Sequence, residues 1–489
     1  MSAPLGGPVR ARFAPSPTGF LHVGGARTAI YNELLRTSLG GAHILRIEDT
    51  DKERSDDAMT RQIIDALEWL GVEIDEGPFM QGERIERHRE MAEKLLAEGL
   101  AYHCFRTPEE LDAERKAVLG RGDSYRYRTS FPQPSAEEVE RRIADGEKFV
   151  VRFRMPEEAI VVEDFVRGDV TFPEESLDDF IILRSDGTPT YHLSVVVDDI
   201  DMRVSHVIRG EDHLSNTPKH IGLFRALGAG VPAFGHLPLI LGPDRKRLSK
   251  RTGATSVEEF RDQGIVPQAL YNYLALLGWS PGDDRELMSR RELIESFTAE
   301  RLGKANAVFD VDKLKWINAH YLSGLDLDEL WPHLEPFLAR AGLDVSEVDG
   351  ERLRHAVELH RKRAKTLPEL AQGVVPYFEE RLEYDLDLTK KFRKQAHLPE
   401  ILEQLRDRYA ALESYDIEST DAALRQLAED REVKAGFLIH PTRIALSGQK
   451  AGPPLFDLVV AVGREEGQRH LTHFVEFLRA HPIEPEASS

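Results

Sequence analysis

Apolar positions in the opening part of the chain change period several times, and each change predicts an element. Val9 to Ala14 is a short β-prone run, Ala26 to Leu39 is helix-like, and Ala42 to Ile47 (AHILRI) resembles a buried strand. That strand ends in the acidic cluster Glu48-Asp49-Thr50-Asp51. Ile63, Leu67 and Leu70 then recur at helical spacing, with Ser55 placed to cap the helix and Gly71 to stop it. Between the first strand and the first helix lies PSPTGFLHVGG, Pro15 to Gly25, a glycine-rich turn holding one imidazole. Strand, glycine turn, helix, strand is the opening of a doubly wound α/β domain.

From about Arg87 the pattern loosens. A helix from Arg87 to Gly99 and a charged, proline-interrupted stretch precede short strands at Phe149 to Met155 and Phe180 to Leu183, which read as an inserted α+β module. Apolar runs ending in polar clusters return near Tyr191, with SVVVDDI and SHVIRGED. Beyond the cationic loop Arg245 to Arg251 the period is helical, and from about Leu325 nearly every segment is an amphipathic helix. Arg352 to Leu367 carries a stripe of Leu353, Ala356, Val357, His360 and Ala364, with Arg354, Arg361 and Lys365 on another face. The expected organisation is an α/β domain in two halves (1–86 and 191–243) around an insertion (87–190). A segment 244–325 with the cationic loop follows, then an all-α region 326–489 that can divide near 380.

Composition narrows the function class. The chain's 489 residues exceed what one core holds, and 41% hydrophobic with 30% charged residues is a soluble globular balance. No apolar run approaches a membrane span, and MSAPLGGPVR lacks the pattern of a secretory signal, so a cytoplasmic protein without a membrane partner is expected. One cysteine, Cys104, leaves no internal disulfide and no multi-cysteine metal site. The net charge of −21 argues against indiscriminate coating of nucleic acid. Cations nevertheless cluster: Arg245-Lys246-Arg247 with Lys250-Arg251, Arg361-Lys362-Arg363 with Lys365, and Lys390-Lys391 with Arg393-Lys394. Such clusters can serve a specific polyanion on an acidic body.

Two stretches suggest chemistry. A glycine turn before a helix N-terminus exposes backbone N–H groups and the positive end of the helix dipole, and its glycines let a phosphate come close. It has neither GxGxxG nor a P-loop lysine, so His22 would supply a single hydrogen bond to a polyphosphate. Asp244 to Arg251, dense in cations around Ser249, suits a clamp on a leaving pyrophosphate. Each stretch alone is more often a structural turn or a solvated loop than a binding site.

Together they carry more. Pro15 to Gly25 with Arg247-Leu248-Ser249-Lys250-Arg251 resembles the HIGH and KMSKS signatures of class I aminoacyl-tRNA synthetases. Arg12-Phe13-Ala14, Arg46 to Asp51, Pro189 to His192, Val197-Asp198-Asp199 and Val207 to Asp212 resemble the bacterial glutamyl-tRNA synthetases, collinearly from Arg12 to about Trp316 and more loosely beyond. Arg247 stands where the family commonly writes lysine, and Gly25 ends the first signature as is usual for glutamate enzymes.

The resemblance implies a class I Rossmann-like catalytic domain, an inserted module for the tRNA acceptor end, a stem-contact segment with the KMSKS-like loop, and a helical anticodon-binding region. It implies that Arg12 and Arg209 meet the carboxylates of L-glutamate, Arg209 the side-chain one, and that Tyr191 donates its hydroxyl. Glu48, Ser16 and the Ala14 carbonyl would hold the ammonium group. Thr18, His22, Gly24, Gly25, Glu211, Arg247, Ser249, Lys250 and Arg251 would meet ATP carrying Mg²⁺, with His22 and Lys250 as catalytic groups. Arg54, Arg361, Arg363 and Arg443 would meet tRNA(Glu), Arg443 from a loop at His440-Pro441-Thr442-Arg443. Attack of the glutamate α-carboxylate on the α-phosphorus would give glutamyl-adenylate, and the 3'-terminal ribose hydroxyl of tRNA would then take the glutamyl group. Relatives that bind zinc begin the site Cys-x-Cys; here the place reads Cys104-Phe105-Arg106, so no zinc and no other protein-bound metal is expected. Relatives are mostly monomers.

Three rivals are weighed. A glutaminyl enzyme carries β-barrel anticodon domains, whereas this C-terminal region is helical. A short paralogue that glutamylates a modified base ends soon after its catalytic domain. A non-catalytic tRNA-binding relative would have lost His22 or Lys250, and both are present.

Overall fold

The computed structural model describes residues 7–50, 56–131, 133–248 and 255–483. Ser55, Arg54, Ser249, Lys250 and Arg251 lie outside the described residues. The chain divides into two compact units, one of residues 1–260 and 270–310, the other of 261–269 and 311–489.

In the first unit the predicted opening forms. β1 (Val9–Phe13) leads through the glycine turn to a helix Val23–Leu39 and on to β2 (Gly41–Ile47). The helix Asp57–Leu70 buries Ile63, Leu67 and Leu70; Asp56 caps its start, accepting from the Ala58 N–H, and Gly71 ends it at φ 73°. β3 is Glu76–Met80, β4 Ala101–Cys104, β5 Val150–Phe153, β6 Ile160–Asp164, β7 Gly168–Phe172, β8 Phe180–Leu183, β9 His206–Gly210 and β10 Ala233–Leu237.

Seven of these make one sheet in the order β3-β2-β1-β9-β10-β6-β7, parallel except at the β6–β7 hairpin. The insertion is therefore split. Its β4, β5 and β8 form a separate antiparallel sheet, while its hairpin extends the main sheet at the β10 edge. Val151, Phe153 and Ile182 of the small sheet share a core with Leu193, Val196, Val207, Leu223 and Phe234. SVVVDDI lies within a helix, Tyr191–Asp201, whose residues Leu193 to Asp199 are all buried. Burial on every side erases the helical period, so three adjacent valines hide the element.

The second unit is helical. Two boundaries differ from expectation. The helix predicted over 352–367 stops at Arg361, and Thr366 caps a new helix Leu367–Val374, accepting from the Glu369 N–H, with Pro368 in its first turn. Leu353, Ala356, Val357 and His360 form its buried face as the stripe requires, but Lys365 is not on that helix. Arg443 is not in a loop: it lies in the helix Ala435–Ser447, which contains Pro441. Pro441 reads as a breaker, yet Leu438, Thr442, Ala445 and Leu446 are buried with it, and that packing outweighs the hydrogen bond the ring removes.

Candidate functional site

In the sheet, β1 and β2 run to one side and β9 and β10 to the other, so β1 and β9 flank the point where strand order reverses. In open α/β sheets the crevice beyond the carboxyl ends of such strands is where ligands bind. Arg12 stands near the end of β1, Arg209 near the end of β9, and Glu48 follows β2. The Tyr191 hydroxyl joins them from the N-terminus of the neighbouring helix, and all four groups feel one another electrostatically.

The two arginines sit in opposite surroundings. Arg12, 4% exposed, faces Asp199 through Nε at 3.3 Å and Nη2 at 3.5 Å. Asp199 also accepts from Nη1 of the fully buried Arg46 at 2.7 Å, and Arg46 reaches Glu48 at 3.5 Å. Adjacent Asp198 holds Arg84 at 2.7 Å, His88 at 2.8 Å and Gln81 at 2.8 Å. Burial raises the Glu48 carboxyl pKa, while Arg46 and Arg12 pull it back.

Arg209, 6% exposed, meets neutral groups throughout. Its Nε donates to His236 Nε2 at 3.1 Å, Nη1 reaches Tyr191 Oη at 3.4 Å and His220 Nδ1 at 3.3 Å, and Nη2 donates to Thr217 Oγ1 at 2.8 Å and the His213 carbonyl at 3.4 Å. Among the described residues it forms no ion pair with a carboxylate. Burial lowers the guanidinium pKa. It holds His213 and His192 down to about 4, with Arg209 adding to the effect, and His220 lies well below its ordinary value for the same reasons. The histidines around Arg209 are therefore neutral at pH 7. Burial also pushes the Tyr191 hydroxyl up to about 12, keeping it a donor. A buried, unneutralised cation ringed by neutral groups is a receptor for an anion.

The glycine turn gathers a second set of polar groups around His22. His22 caps the helix Val23–Leu39, its Nδ1 accepting the Gly25 N–H at 3.1 Å. That bond assigns the imidazole proton to Nε2, leaving an N–H donor. Desolvation in the crowded turn, then the nearby Arg247, lowers the His22 pKa, so the ring is neutral. A Cβ on Gly24 would come within 2.9 Å of His22 Nδ1, so the imidazole's fold-back favours glycine there, whereas one on Gly25 would press on the Leu21 side chain at 3.0 Å. The Val23 N–H donates to the Thr255 carbonyl and the Val257 N–H to the Leu21 carbonyl, both at 2.9 Å. The segment Thr255 to Val257 is thus stitched to the turn, and Arg247 lies within the field of His22.

The remaining predicted residues fall as follows. Ser16 and Thr18 are exposed on the turn, Ala14 and Pro15 are half-buried, and the Pro15 carbonyl accepts the Glu48 N–H at 2.9 Å. Glu211 is held by Arg167 and by the Leu239 N–H. In the second unit Arg361 donates to the Leu325 carbonyl and pairs with Glu358 at 2.8 Å, whereas Arg363 is exposed in the following turn. Arg363 lies close enough to Arg443 to help burial lower its pKa, and Arg443 itself donates to the Pro453 carbonyl. Sequence reasoning gave no role to Asp164, His213, Thr217, His220 or His236. The signal available was local density, since five of the chain's 18 histidines fall between residues 192 and 236. Among the described residues no group of three or more His, Cys, Asp or Glu is arranged to hold a metal ion, and no helix is long and apolar enough to cross a membrane.

Known proteins share the family signature and the fold of this chain. Residues 8–316 match the family model for the catalytic domain of class I tRNA synthetases (E and Q), and residues 329–475 match an anticodon binding domain. A glutamate–tRNA ligase of Caldanaerobacter subterraneus subsp. tengcongensis is 44% identical over 471 residues, covering 96% of this chain and 98% of the relative. One from Koribacter versatilis is 45% identical over 468 residues, covering 95% and 98%. The crystal structure of a glutamate tRNA ligase from Elizabethkingia meningosepticum in complex with its amino acid aligns with TM-score 0.86 at 34% identity, covering 96% of this chain and all of that one.

Proposed function

We propose how the site works from one premise: the chain belongs to the glutamate–tRNA ligase family, and it is an aminoacyl-tRNA ligase acting on glutamate. The reading rests on Arg209, a buried guanidinium whose partners among the described residues are all neutral. It takes the side-chain carboxylate of glutamate, with Tyr191 donating a further hydrogen bond. The amide of glutamine would leave the same guanidinium buried without a counter-charge, and that penalty is the basis of rejection. Arg12, anchored by Asp199, serves the α-carboxylate; Glu48, with Ser16 and the Ala14 carbonyl, receives the ammonium group.

ATP, with its Mg²⁺ as part of the substrate, lies at the N-terminus of the helix Val23–Leu39. The Gly24 N–H and the Nε2–H of His22 face the phosphates, Gly25 lets them approach the turn, and Thr18 and Glu211 lie near the nucleotide. Arg247, Ser249, Lys250 and Arg251 draw charge onto the departing pyrophosphate. The α-carboxylate attacks the α-phosphorus, the bond to the β-phosphate oxygen breaks, and glutamyl-adenylate forms; the terminal adenosine hydroxyl of tRNA(Glu) then displaces AMP. No covalent enzyme intermediate is required, so placement and charge stabilisation carry the rate. Segment 87–190 receives the acceptor end, 244–325 the stem and 326–489 the anticodon, where Arg363 and Arg443 are the base readers and Arg54 a further tRNA contact, while Arg361, tied to the Leu325 carbonyl and Glu358, holds the helix end before Arg363. The enzyme acts in the cytoplasm as a monomer.

The test uses labelled glutamate and glutamine on purified tRNAs, with ATP–pyrophosphate exchange alongside. Arg209→Met should raise the KM for glutamate steeply, leave the KM for ATP in place and erode the preference over glutamine. An unchanged KM for glutamate overturns this assignment.

A further inference from the structure

Arg209 must be held by something, because an arginine side chain has many rotamers and among the described residues no carboxylate anchors this one. The sheet supplies a holder. β6, β10 and β9 are consecutive neighbours, and His236 on β10 is in register with Arg209 on β9. Asp164 ends β6, beside Phe234 of β10. The three side chains make a chain across the strands: Asp164 Oδ2 to His236 Nδ1 at 2.5 Å, then His236 Nε2 to Arg209 Nε at 3.1 Å. Asp164 is 3% exposed and His236 is fully buried.

We propose that Asp164 and His236 are a positioning pair that aims Arg209 at the substrate's side-chain carboxylate, Asp164 doing so by fixing the tautomer of His236. The proposal rests on the reading of Arg209 given above. The proton bookkeeping is closed. A carboxylate only accepts, so His236 carries its proton on Nδ1 and offers the Nε2 lone pair. Arg209 Nε–H is only a donor and needs that lone pair. The Thr217 hydroxyl, 3.0 Å from the same nitrogen, accepts from Arg209 Nη2 at 2.8 Å and completes the grip on the guanidinium. Asp164 has no freedom to serve otherwise: its Oδ1 accepts the N–H groups of Val166 at 2.8 Å and Arg167 at 2.7 Å, and the His236 N–H lies 3.1 Å from Oδ2. The hairpin that bears Asp164 comes from the inserted segment, so the insertion supplies a piece of the amino-acid pocket. This gives the hairpin's place on the main sheet a functional reason.

Asp164→Asn separates positioning from mere support. The two loop N–H groups require an oxygen at the Oδ1 place, which puts the amide NH₂ against His236 Nδ1. The imidazole must then take its proton on Nε2 and present a donor to a donor. The expected result is a rise of about tenfold or more in the KM for glutamate, as for other supporting hydrogen bonds to a binding group, with the KM for ATP unchanged. Nitrogen chemical shifts of labelled histidine should report Nδ1–H at His236 in the wild type and Nε2–H in Asp164→Asn. A wild-type Nε2–H tautomer, an Asn variant that keeps Nδ1–H, or an inverted tautomer with an unchanged KM for glutamate each overturns the proposal. Should Asp164→Asn fail to fold, the pair His236→Gln and His236→Leu decides. Glutamine can donate to Asp164 and accept from Arg209, so it should restore most of the glutamate affinity that leucine loses; equal affinities overturn the proposal. If Arg209→Met leaves the KM for glutamate unchanged, the reading of Arg209 has failed. If Arg209→Met raises it while the Asp164 and His236 variants do not, only the positioning has failed.

Discussion

Two buried arginine environments lie side by side at the carboxyl ends of β1, β2 and β9, and they are solved in opposite ways. Around Arg12 and Arg46 the chain supplies its own anions, Asp199, Asp198 and Glu48, and the charges close on one another. Around Arg209 it supplies histidines, a tyrosine, a threonine and a carbonyl, all neutral. A buried ion pair that loses one member is left with an uncompensated charge, so the first environment is a stability element. The second already bears that charge, and the free energy is recovered when an anion enters. A buried arginine whose neighbours leave it unneutralised marks a place for an anion, although a neutralised one can still serve a substrate through its free face.

The largest effect expected comes from breaking the compensated side. Asp199→Ala should cost about 3–5 kcal/mol of unfolding free energy, because Arg46 stays fully buried with its closest carboxylate gone. Chemical denaturation measures it, and a loss under about 1 kcal/mol would show that the hub is not the stability element described. Arg209→Met, in contrast, removes a charge that forms no ion pair among the described residues. It should leave the denaturation midpoint level or higher and, on the proposed reading of Arg209, cost about 2–5 kcal/mol of glutamate binding.

Acid should part the two environments next. His192 and His213 have folded pKa values of about 4 against an ordinary 6.5, so between those limits the unfolded chain takes up protons that the folded pocket refuses. Their contribution is complete above pH 6.5 and is lost as pH falls toward 4. Asp198, whose partners His88, Arg46 and Arg84 outweigh its burial, sits below its ordinary 3.8. Its contribution persists through that window and is lost only as pH falls through the still lower folded value. Denaturation midpoints taken from pH 7 to 4 should therefore decline, and His213→Gln should flatten part of the slope. An identical slope in the variant would remove the histidines from the account.

The smallest effect repeats the contrast in the helical unit. Arg361 is committed to the Leu325 carbonyl and Glu358, whereas Arg363 is exposed. Arg361→Ala should lower stability by about 1–2 kcal/mol. Arg363→Ala should change it by less than about 0.5 kcal/mol and instead raise the KM for tRNA. Matching effects on both readouts would mean that exposure does not sort tRNA contacts from structural arginines here.

How far the residues alone carry is clearest at particular positions. The strand–turn–helix opening, the buried stripe of the helix Gly350–Arg361 and the strand Phe180–Leu183 follow from local period and turn chemistry. Ile63, Leu67, Leu70 and Gly71 end a helix as their spacing says. The glycine turn and the Arg12, Glu48, Tyr191 and Arg209 set were legible through motif resemblance, and the structure brings those four side chains together. What was not legible depends on neighbours distant in the chain. The three valines before Asp198 form a helix because every side is buried, and Pro441 stays inside a helix because packing pays for its missing bond. Arg361 and Arg363 look alike as letters, and only burial tells them apart.

The sequence by itself determined the class of fold, the family and the chemical types gathered at the site, since motifs and periods are properties of short stretches. The tertiary structure alone decided which arginine is neutralised and which is not. That distinction depends on Asp199, 187 residues from Arg12, and on His236, 27 residues from Arg209, reaching hydrogen-bond distance. It decided, too, that the β6–β7 hairpin joins the main sheet and brings Asp164 against His236. Charge compensation acts over a few ångströms of folded space, and no pattern along the chain records those distances.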